Sequence, residues 1–221
     1  MSKELEQFDI FDARMNPIGT APRPEVHKQG YWHQTFQCWI VMMPVPGDSA
    51  NIRQTVTEPE LLFQMRHPGK DTFPSLLDIS CAGHLLAGER VEEGVRELAE
   101  ELGVEIAFER LRPCGVFQEE QRISPVLIDR EFCHVFVLPY DQPLEQYKLQ
   151  EDEVTGLYRI PLSDVRELAQ GRLGTITADG VEPDERQRLA PVQRQFTQGD
   201  FVPHSAAYYD LVLNTIEQIM S

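Results

Sequence analysis

The sequence predicts a mixed α/β (α+β) fold in which a mixed sheet packs against helices. Strand-like and helix-like segments are interspersed along the 221 residues, and several neighbouring strands look like hairpins. The regular strand–helix–strand rhythm of a parallel sheet is absent, and no internal repeat is visible. With 41% hydrophobic and 25% charged residues, the composition is that of a folded globular chain rather than a disordered one.

The strand signals in the first half of the chain are short apolar runs separated by segments rich in proline and glycine. They lie at residues 8–11, 36–43, 61–65 and 76–82. Residues 17–33 read as a connection rich in Pro, Gly and His, and residues 44–59 read as a surface loop. A helix is predicted for residues 91–102, with Gly103 as the residue that ends it.

The second half continues with strand-like runs and two more helices. The runs lie at residues 112–118, 132–138 and 154–160. Ser163 resembles the N-cap of a short helix over 164–170, and an amphipathic helix is predicted for 205–220. Residues 171–203 show little periodicity and are interpreted as a long loop with a short helical piece near 185–189. We therefore expect one domain, residues 1–221, with a short N-terminal extension and a C-terminal loop-plus-helix elaboration from about 171.

The charge of the chain excludes some partners. Its 36 acidic and 20 basic residues give a formal net charge of −16, which disfavours binding to a nucleic acid polymer or to an anionic membrane surface. No apolar run approaches the ~18 residues of a membrane span, and residues 1–6 lack the pattern of a signal peptide. An intracellular, soluble protein, cytoplasmic in location, is therefore expected.

The cysteines indicate reduced thiols rather than a disulfide scaffold. Cys38, Cys81, Cys114 and Cys133 are far apart and form no CxxC pair. Three of them lie in apolar, strand-like surroundings, so we expect buried thiols that pack as small hydrophobic groups.

Residues 83–104 combine a glycine-containing loop with an acidic helix. On a wheel of about 100° per residue, the face expected to be buried carries Val95, Leu98, Ala99 and Leu102. The opposite arc carries Glu93, Glu97, Glu100 and Glu101. Like charges at these spacings repel, so the arc is either a solvated acidic face or a site for a hard divalent cation. Arg96 lies beside it and can orient a carboxylate.

This run resembles the Nudix box, G-x5-E-x7-R-E-U-x-E-E-x-G-U, in which U is aliphatic. The matching residues are Gly83, Glu89, Arg96, Glu97, Leu98, Glu100, Glu101, Gly103 and Val104. Six residues, instead of seven, separate Glu89 from Arg96, so the loop is one residue shorter at the helix entrance. The resemblance implies a Nudix-type α/β/α sandwich and metal-dependent hydrolysis of a diphosphate linkage in a small nucleotide-like metabolite.

The resemblance also implies which residues act. Glu97, Glu100 and Glu101 match the family's metal-binding glutamates, and the carbonyl of Gly83 matches a main-chain ligand of many relatives. Glu100, Glu101, Arg96 and Glu131 form the predicted catalytic set, with Mg²⁺ or Mn²⁺ as the cofactor. Because both the protein and a diphosphate are anionic, bound cations must reverse the local field before the substrate can enter.

Other segments resemble a Nudix branch close to the isopentenyl-diphosphate isomerases. They lie at residues 8–12, 23–27, 31–33 and 78–84, with a weaker match at 201–203. In the isomerases, one metal is bound by residues at positions like His27, His33, His84, Asp129 and Glu131. His27 and His33 are also compatible with a structural role, in which they hydrogen-bond a loop against the sheet.

Two features favour a hydrolase over an isomerase. The isomerases place a catalytic cysteine immediately before the Gly-His pair, whereas here Ala82 has that position and Cys81 precedes it, on the opposite face of a strand. The isomerases also have a degraded helix motif, whereas this helix keeps its glutamates. Isomerase activity and a non-catalytic metabolite-binding Nudix module remain the alternatives.

Four residues are predicted to contact the substrate. Arg66 and Lys70 flank a Pro-Gly turn ahead of the box and are candidates for phosphate binding, although ordinary surface charges would look the same. His33 and His84 are the other candidates. The general base stays open among Glu131, which begins a strand, and Glu119 and Glu120 before it. A homodimer is expected only by analogy with the fold.

Overall fold

The computed structural model of the chain describes residues 5–44, 58–124 and 127–221. The strands in chain order are β1 (Gln7–Phe11), β2 (Pro17–Pro22), β3 (His33–Met42), β4 (Glu60–Arg66), β5 (Leu77–Asp78), β6 (Cys81–His84), β7 (Arg112–Ser124), β8 (Leu127–Pro139), β9 (Val154–Pro161), β10 (Ile176–Pro183) and β11 (Leu189–Phe196). The helices are α1 (Arg23–Gln29), α2 (Arg96–Leu102), α3 (Leu162–Ala169) and α4 (Ala206–Met220).

Nine of the strands in the described residues form one mixed sheet. Its order is β11-β10-β9-β4-β3-β8-β7, with β5 paired to β4 and β6 paired to β3. β3 and β8 run parallel, whereas β6 runs antiparallel to β3. The first half of β3 therefore lies between β6 and β8, which places residues from three strands side by side.

Helices cover both faces of this sheet. On one face, Tyr208 and Val212 of α4 and Val165 of α3 pack against a core that contains Trp39. On the other face, Leu98 and Leu102 of α2 pack against a second core that contains Phe36, Cys38 and Ile40. The helix–sheet–helix arrangement confirms the predicted fold class.

The connection at residues 17–33 contains regular structure that its composition hid. β2 pairs with β1 in a separate two-stranded sheet, and α1 follows directly. A proline lies in the first turn of α1, and Gly30 ends it with a φ of 66°, as the usual start and stop signals require. The helix has seven residues and buries only Val26, so it shows no apolar periodicity.

The prediction of a long loop over residues 171–203 is wrong. β10 and β11 form an antiparallel hairpin that extends the edge of the main sheet. The helical piece expected near 185–189 is the turn of this hairpin, where the Asp184 carboxylate accepts hydrogen bonds from the backbone N–H groups of Arg186 and Arg188. Gly180 in β10 and Pro191 in β11 weaken the strand pattern. The proline is tolerated because β11 is the edge strand of the sheet.

The acidic helix ends as predicted, but it buries a different face. It begins with a 3₁₀ segment, Val91–Val95, continues as α2 and ends at Gly103, whose φ is 68°. Ala99 is exposed, whereas Glu101 is buried together with Leu98 and Leu102. The wheel placed Glu101 outside because a hydrophobic pattern assigns every carboxylate to solvent, and a carboxylate kept inside for its chemistry breaks that rule.

The last two helices are found where the sequence places them, with one different cap. α3 begins at Leu162, and Ser163 lies inside its first turn, where its N–H and hydroxyl both donate to the Glu58 carboxylate. Ser205 caps α4 as its N-cap residue and accepts a hydrogen bond from the N–H of Tyr208.

The loop predicted at 44–59 falls mostly on residues 45–57, which lie outside the described residues. Within the described part of the chain, every helix is too short or too polar to cross a bilayer. All four cysteines are free thiols, and Cys38, Cys81 and Cys133 are buried, as predicted.

The close contact between the 3₁₀ segment and the sheet gives a stability prediction. A Cβ atom at Gly94 would lie 2.7 Å from Cβ of Phe36 and 2.9 Å from Cδ2 of Leu85. We expect Gly94→Ala to lower the free energy of unfolding, measured by urea denaturation, by about 1–3 kcal/mol, as overpacking usually does. Gly174→Ala is the matched control, because no atom lies within 4 Å of its added Cβ. Equal stability of the two variants would contradict the packing described here.

Candidate active site

The Arg96 guanidinium connects the glycine loop to α2. Its Nε and Nη2 donate to both carboxylate oxygens of Glu89, at 2.7 and 3.0 Å. Its Nη1 donates to Glu97 at 2.7 Å and to Glu100 at 3.1 Å, and Nη2 also donates to the carbonyl of His84 at 3.3 Å. Arg96 is thus hydrogen-bonded to three of the carboxylates of the box.

The missing residue at the helix entrance does not displace Glu89. The segment that replaces an α-helical start is 3₁₀, and a 3₁₀ helix rises about 2.0 Å per residue against 1.5 Å in an α-helix. Its five residues therefore span roughly the length of six or seven α-helical residues. Glu89 still reaches Arg96 in a bidentate pair, the strongest geometry for these groups.

Gly83 and Glu97 occupy one tight space under the helix. A Cβ at residue 83 would lie 2.1 Å from Cδ of Glu97, so only glycine leaves room for this carboxylate. The Glu97 side chain is 12% exposed. Burial raises its pKa to about 7, and Arg96 opposes that rise.

Glu101 lies deeper than Glu97, and Glu100 lies outside. Glu101 is 4% exposed, and burial raises the pKa of its carboxyl group to about 8, with a further contribution from Glu97. Its Oε2 has no hydrogen-bond partner among the described residues. Glu100 is 54% exposed. The exposure of the three predicted ligands therefore increases from Glu101 through Glu97 to Glu100.

The two cationic side chains predicted to bind phosphate, Arg66 and Lys70, each have a carboxylate partner within the protein. The Arg66 guanidinium donates to Asp78 at 2.7 Å and to the carbonyl of Thr72 at 2.9 and 3.1 Å. Lys70 pairs with Glu153, and its charge acts on both Glu101 and His84. Lys70 therefore lies close to both the helix carboxylates and the histidines described next.

The five residues predicted from the isomerase resemblance come together on the face of the sheet opposite α2. One ring nitrogen each of His27, His33 and His84 lies within 4.8 Å of the others, and so do ligand atoms of His33, Asp129 and Glu131. The Nε2 atoms of His27 and His33 are 3.7 and 3.6 Å from Oδ1 of Asp129. Among the described residues, no comparable group of three includes a glutamate of α2.

Burial favours the neutral form of two imidazoles of this cluster, those of His33 and His84. It lowers the pKa of His33 to about 3 and that of His84 well below its ordinary value. Nε2 of His33, Nε2 of His84 and Oδ1 of Asp129 are buried without a hydrogen-bond partner in the described structure. Neutral imidazole nitrogens beside an unpaired carboxylate oxygen are the donors that a metal ion needs.

Phe8 fixes the orientation of two of these rings. It is fully buried and stacks on His33 and His84 with centroid distances of 5.4 and 4.8 Å. Its neighbour Asp9 accepts a hydrogen bond from the N–H of Gly88 at 2.7 Å. The N-terminal hairpin thus holds the histidine cluster and the glycine loop together.

The structure separates the three candidates for the general base. Glu120 pairs with Arg130 at 2.9 Å and is 49% exposed. Glu131 is 16% exposed and lies among Thr35, Gln37 and Cys133, and desolvation together with Asp129 and Glu119 raises the pKa of its carboxyl group well above the ordinary value. Glu119 lies directly opposite Glu131 in the β7–β8 ladder and is 15% exposed.

Cys81 and Ala82 point to opposite faces of the sheet, as the strand register predicted. Cys81 belongs to the core under α2 and lies against Glu101. Burial raises the pKa of the Cys81 thiol, and the charge of Glu101 raises it further. Ala82 packs on the other core, on the side of the histidines. No thiol therefore takes the position that the isomerases give to their cysteine.

The sequence interpretation missed several polar residues around the histidine cluster and the carboxylates beside it. Thr35 and Gln37 follow His33 at alternate positions of an otherwise apolar strand, and this period-two polar pattern was a readable signal. Asp78 and His204 lie far apart in the sequence and meet at 3.1 Å, and no local pattern announces that contact.

Three comparisons relate the chain to known proteins. A model of the NUDIX domain matches residues 47–179. An uncharacterized Nudix hydrolase of Clostridium acetobutylicum is 38% identical over 96% of this chain and 98% of its own length. An isopentenyl-diphosphate Delta-isomerase of Photorhabdus laumondii is 27% identical over 72% of this chain and 79% of its own. A crystal structure from Deinococcus radiodurans has a similar fold, with a TM-score of 0.53 at 23% identity over 75% of this chain and 90% of its own.

The buried carboxyl groups predict how the stability of the metal-free protein depends on pH. The folded-state pKa of Glu101 is about 8 and that of Glu97 about 7, both above the ordinary value of 4.5. The folded state therefore binds more protons than the unfolded state between about pH 4.5 and 8, and its stability falls as pH rises through that window. We expect the free energy of unfolding in EDTA to decrease less over this range in Glu101→Gln, which carries no titratable group there.

The exposed variant Glu105→Gln, outside the site, serves as the control for this measurement. It should follow the wild-type curve. A Glu101→Gln curve that also follows the wild type would show that Glu101 titrates normally.

Proposed function

This chain belongs to the Nudix family and is a Nudix pyrophosphohydrolase, and on that premise we propose that α2 binds the divalent cation with which it hydrolyses a small nucleotide-like diphosphate. The observation that carries the proposal is the buried pair Glu97 and Glu101 under the glycine loop. Their pKa values are raised, and one oxygen of Glu101 lacks a partner among the described residues. A cation at this position would replace the protons that these carboxyl groups otherwise hold.

The donor set fits Mg²⁺ or Mn²⁺. Glu97, Glu100, Glu101 and the carbonyl of Gly83 supply only oxygen atoms, which hard cations prefer. Arg96 donates to both Glu97 and Glu100, and Mg²⁺ usually needs only one or two carboxylates, because waters and substrate phosphates complete its shell. When bound, the cation polarises phosphoryl oxygens and lowers the pKa of an attacking water.

The remaining residues receive roles from their positions. Arg96 orients Glu97 and Glu100, and Lys70 supplies a positive charge for phosphate oxygens. His33 and His84 would contact the substrate through a cation held in their cluster. We assign the general base to Glu119, because Glu120 is paired with Arg130 and Glu131 lies with His33 and Asp129 in the histidine cluster. Glu131 then remains a candidate ligand for a cation in the histidine cluster.

Isomerase activity on isopentenyl diphosphate is the second candidate function. The observation in its favour is the cluster of His27, His33, His84, Asp129 and Glu131, whose unpartnered atoms fit a Zn²⁺ or Mn²⁺ ion. The position of Cys81 under α2 counts against it. A non-catalytic metabolite-binding module is disfavoured because the glutamate set of the box is complete.

Several expectations stay predictions. They are the single domain over residues 1–221 with its C-terminal elaboration from about 171, the cytoplasmic location and the homodimer. The absence of nucleic acid polymers and membranes as partners is another, and the net charge of −16 supports it.

Phosphate release from a panel of diphosphates tests the proposed hydrolysis. The panel contains ADP-ribose, NADH, CoA, nucleoside triphosphates, thiamine diphosphate and isopentenyl diphosphate, each with Mg²⁺ or Mn²⁺. We expect release from one class of nucleotide-like compound. Glu100→Gln and Glu101→Gln should each lower kcat by more than about 100-fold, because loss of a partner outside the ligand shell already costs 10- to 100-fold.

Glu105→Gln, an exposed substitution beyond the end of α2, should keep the wild-type rate. Conversion of isopentenyl diphosphate to its isomer without phosphate release would establish the second candidate instead. Binding of a panel compound without any turnover would favour the binding module.

A further inference from the structure

A buried histidine lies between two carboxylates, one of which is the proposed base. His204 belongs to the segment that precedes α4, and its side chain is 6% exposed. Its Nε2 is 3.1 Å from Oδ1 of Asp78, and its Nδ1 is 3.9 Å from Oε1 of Glu119. The ring is separate from the cluster of three histidines and has no part in the cation sites proposed above.

The Asp78 side of this contact is fixed. Oδ2 of Asp78 accepts from Nη1 of Arg66 at 2.7 Å, and Oδ1 accepts from the N–H of Ile79 at 2.8 Å. Although burial opposes it, the hydrogen bond with His204 and the charge of Arg66 hold the pKa of Asp78 well below its ordinary value. Asp78 is therefore an acceptor, so Nε2 of His204 carries a proton and donates it.

The imidazole is also held in place by packing. It stacks on the ring of Tyr208 with a centroid distance of 4.6 Å. The N–H of Val202 donates to the carbonyl of Leu77 at 2.8 Å, which ties the segment to the strand that ends in Asp78. The ring cannot turn away from Glu119 without breaking these contacts.

The Nδ1 atom has one place to direct its hydrogen bond. It is buried without a partner within hydrogen-bonding distance in the described residues, and the Glu119 carboxylate is the acceptor in front of it. A separation of 3.9 Å is long for a hydrogen bond, and such contacts often tighten when substrate binds.

Tyr208, in the first turn of α4, is linked to the neighbouring acid through Gln37. The hydroxyl of Tyr208 donates to Oε1 of Gln37 at 2.7 Å, and the Gln37 amide faces Glu131 at 3.5 Å. Glu119 and Glu131 are direct partners across the β7–β8 ladder. His204 before α4 and Tyr208 in its first turn thus lie on the side of two adjacent carboxylates.

We propose that His204 is a positioning residue of the active centre: anchored on Asp78, it directs Nδ1–H to Glu119 and holds that carboxylate where it accepts a proton from the attacking water. The proposal rests on the proposed hydrolysis. In that step the water oxygen bonds to phosphorus, and the bond to the bridging oxygen breaks with its electron pair on the leaving phosphate. The water proton goes to Glu119 and from there to solvent.

Steady-state kinetics of His204→Phe and His204→Gln test this role on the compound that the wild type hydrolyses. Phenylalanine keeps the stacking on Tyr208 but cannot donate, so we expect kcat to fall about 10- to 100-fold, the cost of a misplaced catalytic group, while KM changes less than twofold. Glutamine can donate from its amide and should recover part of the loss. His134→Phe is the matched control, because His134 lies on the face of β8 opposite Glu131.

The ring nitrogens give a readout that needs no turnover. In long-range ¹H–¹⁵N NMR spectra of the wild type at pH 7.5, assigned by comparison with the histidine variants, we expect both nitrogens of His204 to carry protons. Glu119→Gln should shift the Nδ1 signal, and the neighbouring substitution Glu120→Gln should leave it unchanged.

The outcomes separate this proposal from the proposed function. If the wild type hydrolyses a panel compound and His204→Phe keeps its kcat, the role of His204 is overturned and the hydrolase stands. If Nδ1 carries no proton, or if its signal does not shift in Glu119→Gln, the contact between His204 and Glu119 is overturned. If both nitrogens carry protons and the Nδ1 signal shifts, but the wild type hydrolyses none of the compounds, the proposed function is overturned and the contact with Glu119 stands.

Discussion

A single guanidinium group, that of Arg96, accounts for much of the local geometry around α2. It bonds to Glu89 from the glycine loop, to Glu97 and Glu100 from the helix, and to the backbone of β6 at His84. Without it, several carboxylates would crowd one end of a short helix and repel one another. The guanidinium neutralises part of this charge but does not contact Glu101, so one buried carboxylate of the helix is left for another partner. Its pair with Glu89 also fixes the glycine loop to the helix, although the loop is one residue shorter than in the box.

The second constraint is the alternation of side chains along β3, β6 and β8. Consecutive residues of a strand point to opposite faces, so Gly83 lies under α2 while His84 lies with His33 and Glu131 on the other side. The oxygen donors of the helix and the nitrogen-rich cluster are therefore neighbours across one strand at the edge of the sheet. Lys70, which pairs with Glu153, carries a charge that acts on both Glu101 and His84.

The parts of this arrangement that could be predicted are those with a local signal. The box, its helix and Gly103 were readable because spacing and residue type are defined within about twenty residues, and the register argument for Cys81 needed only the parity of a strand. The hairpin β10–β11 was missed because Gly180 and Pro191 interrupt its pattern, and α1 because seven residues bury one side chain. Glu101 was placed on the wrong face because burial of a carboxylate depends on its chemistry, which hydrophobicity does not encode. His204 could not be predicted, since its partners lie 85 and 126 positions away.

These placements also explain how the chain can resemble isomerases and act as a hydrolase. The cluster of three histidines and two acids is a binding feature, and a cation held there needs only the ligands that the fold keeps at β3, β6 and β8. The isomerases that the chain resembles place a cysteine immediately before the Gly-His pair, and here that position on β6 is Ala82, while Cys81 lies with Glu101 under α2. A different thiol, that of Cys133 on β8, lies on the histidine side and donates to Glu131. The proposed hydrolysis needs a carboxylate that can take a proton from water, and Glu119 lies directly opposite Glu131 in the β7–β8 ladder. On the proposed function, the difference from the isomerases therefore lies in which residue of β6 faces the histidines and in the complete set of glutamates on α2.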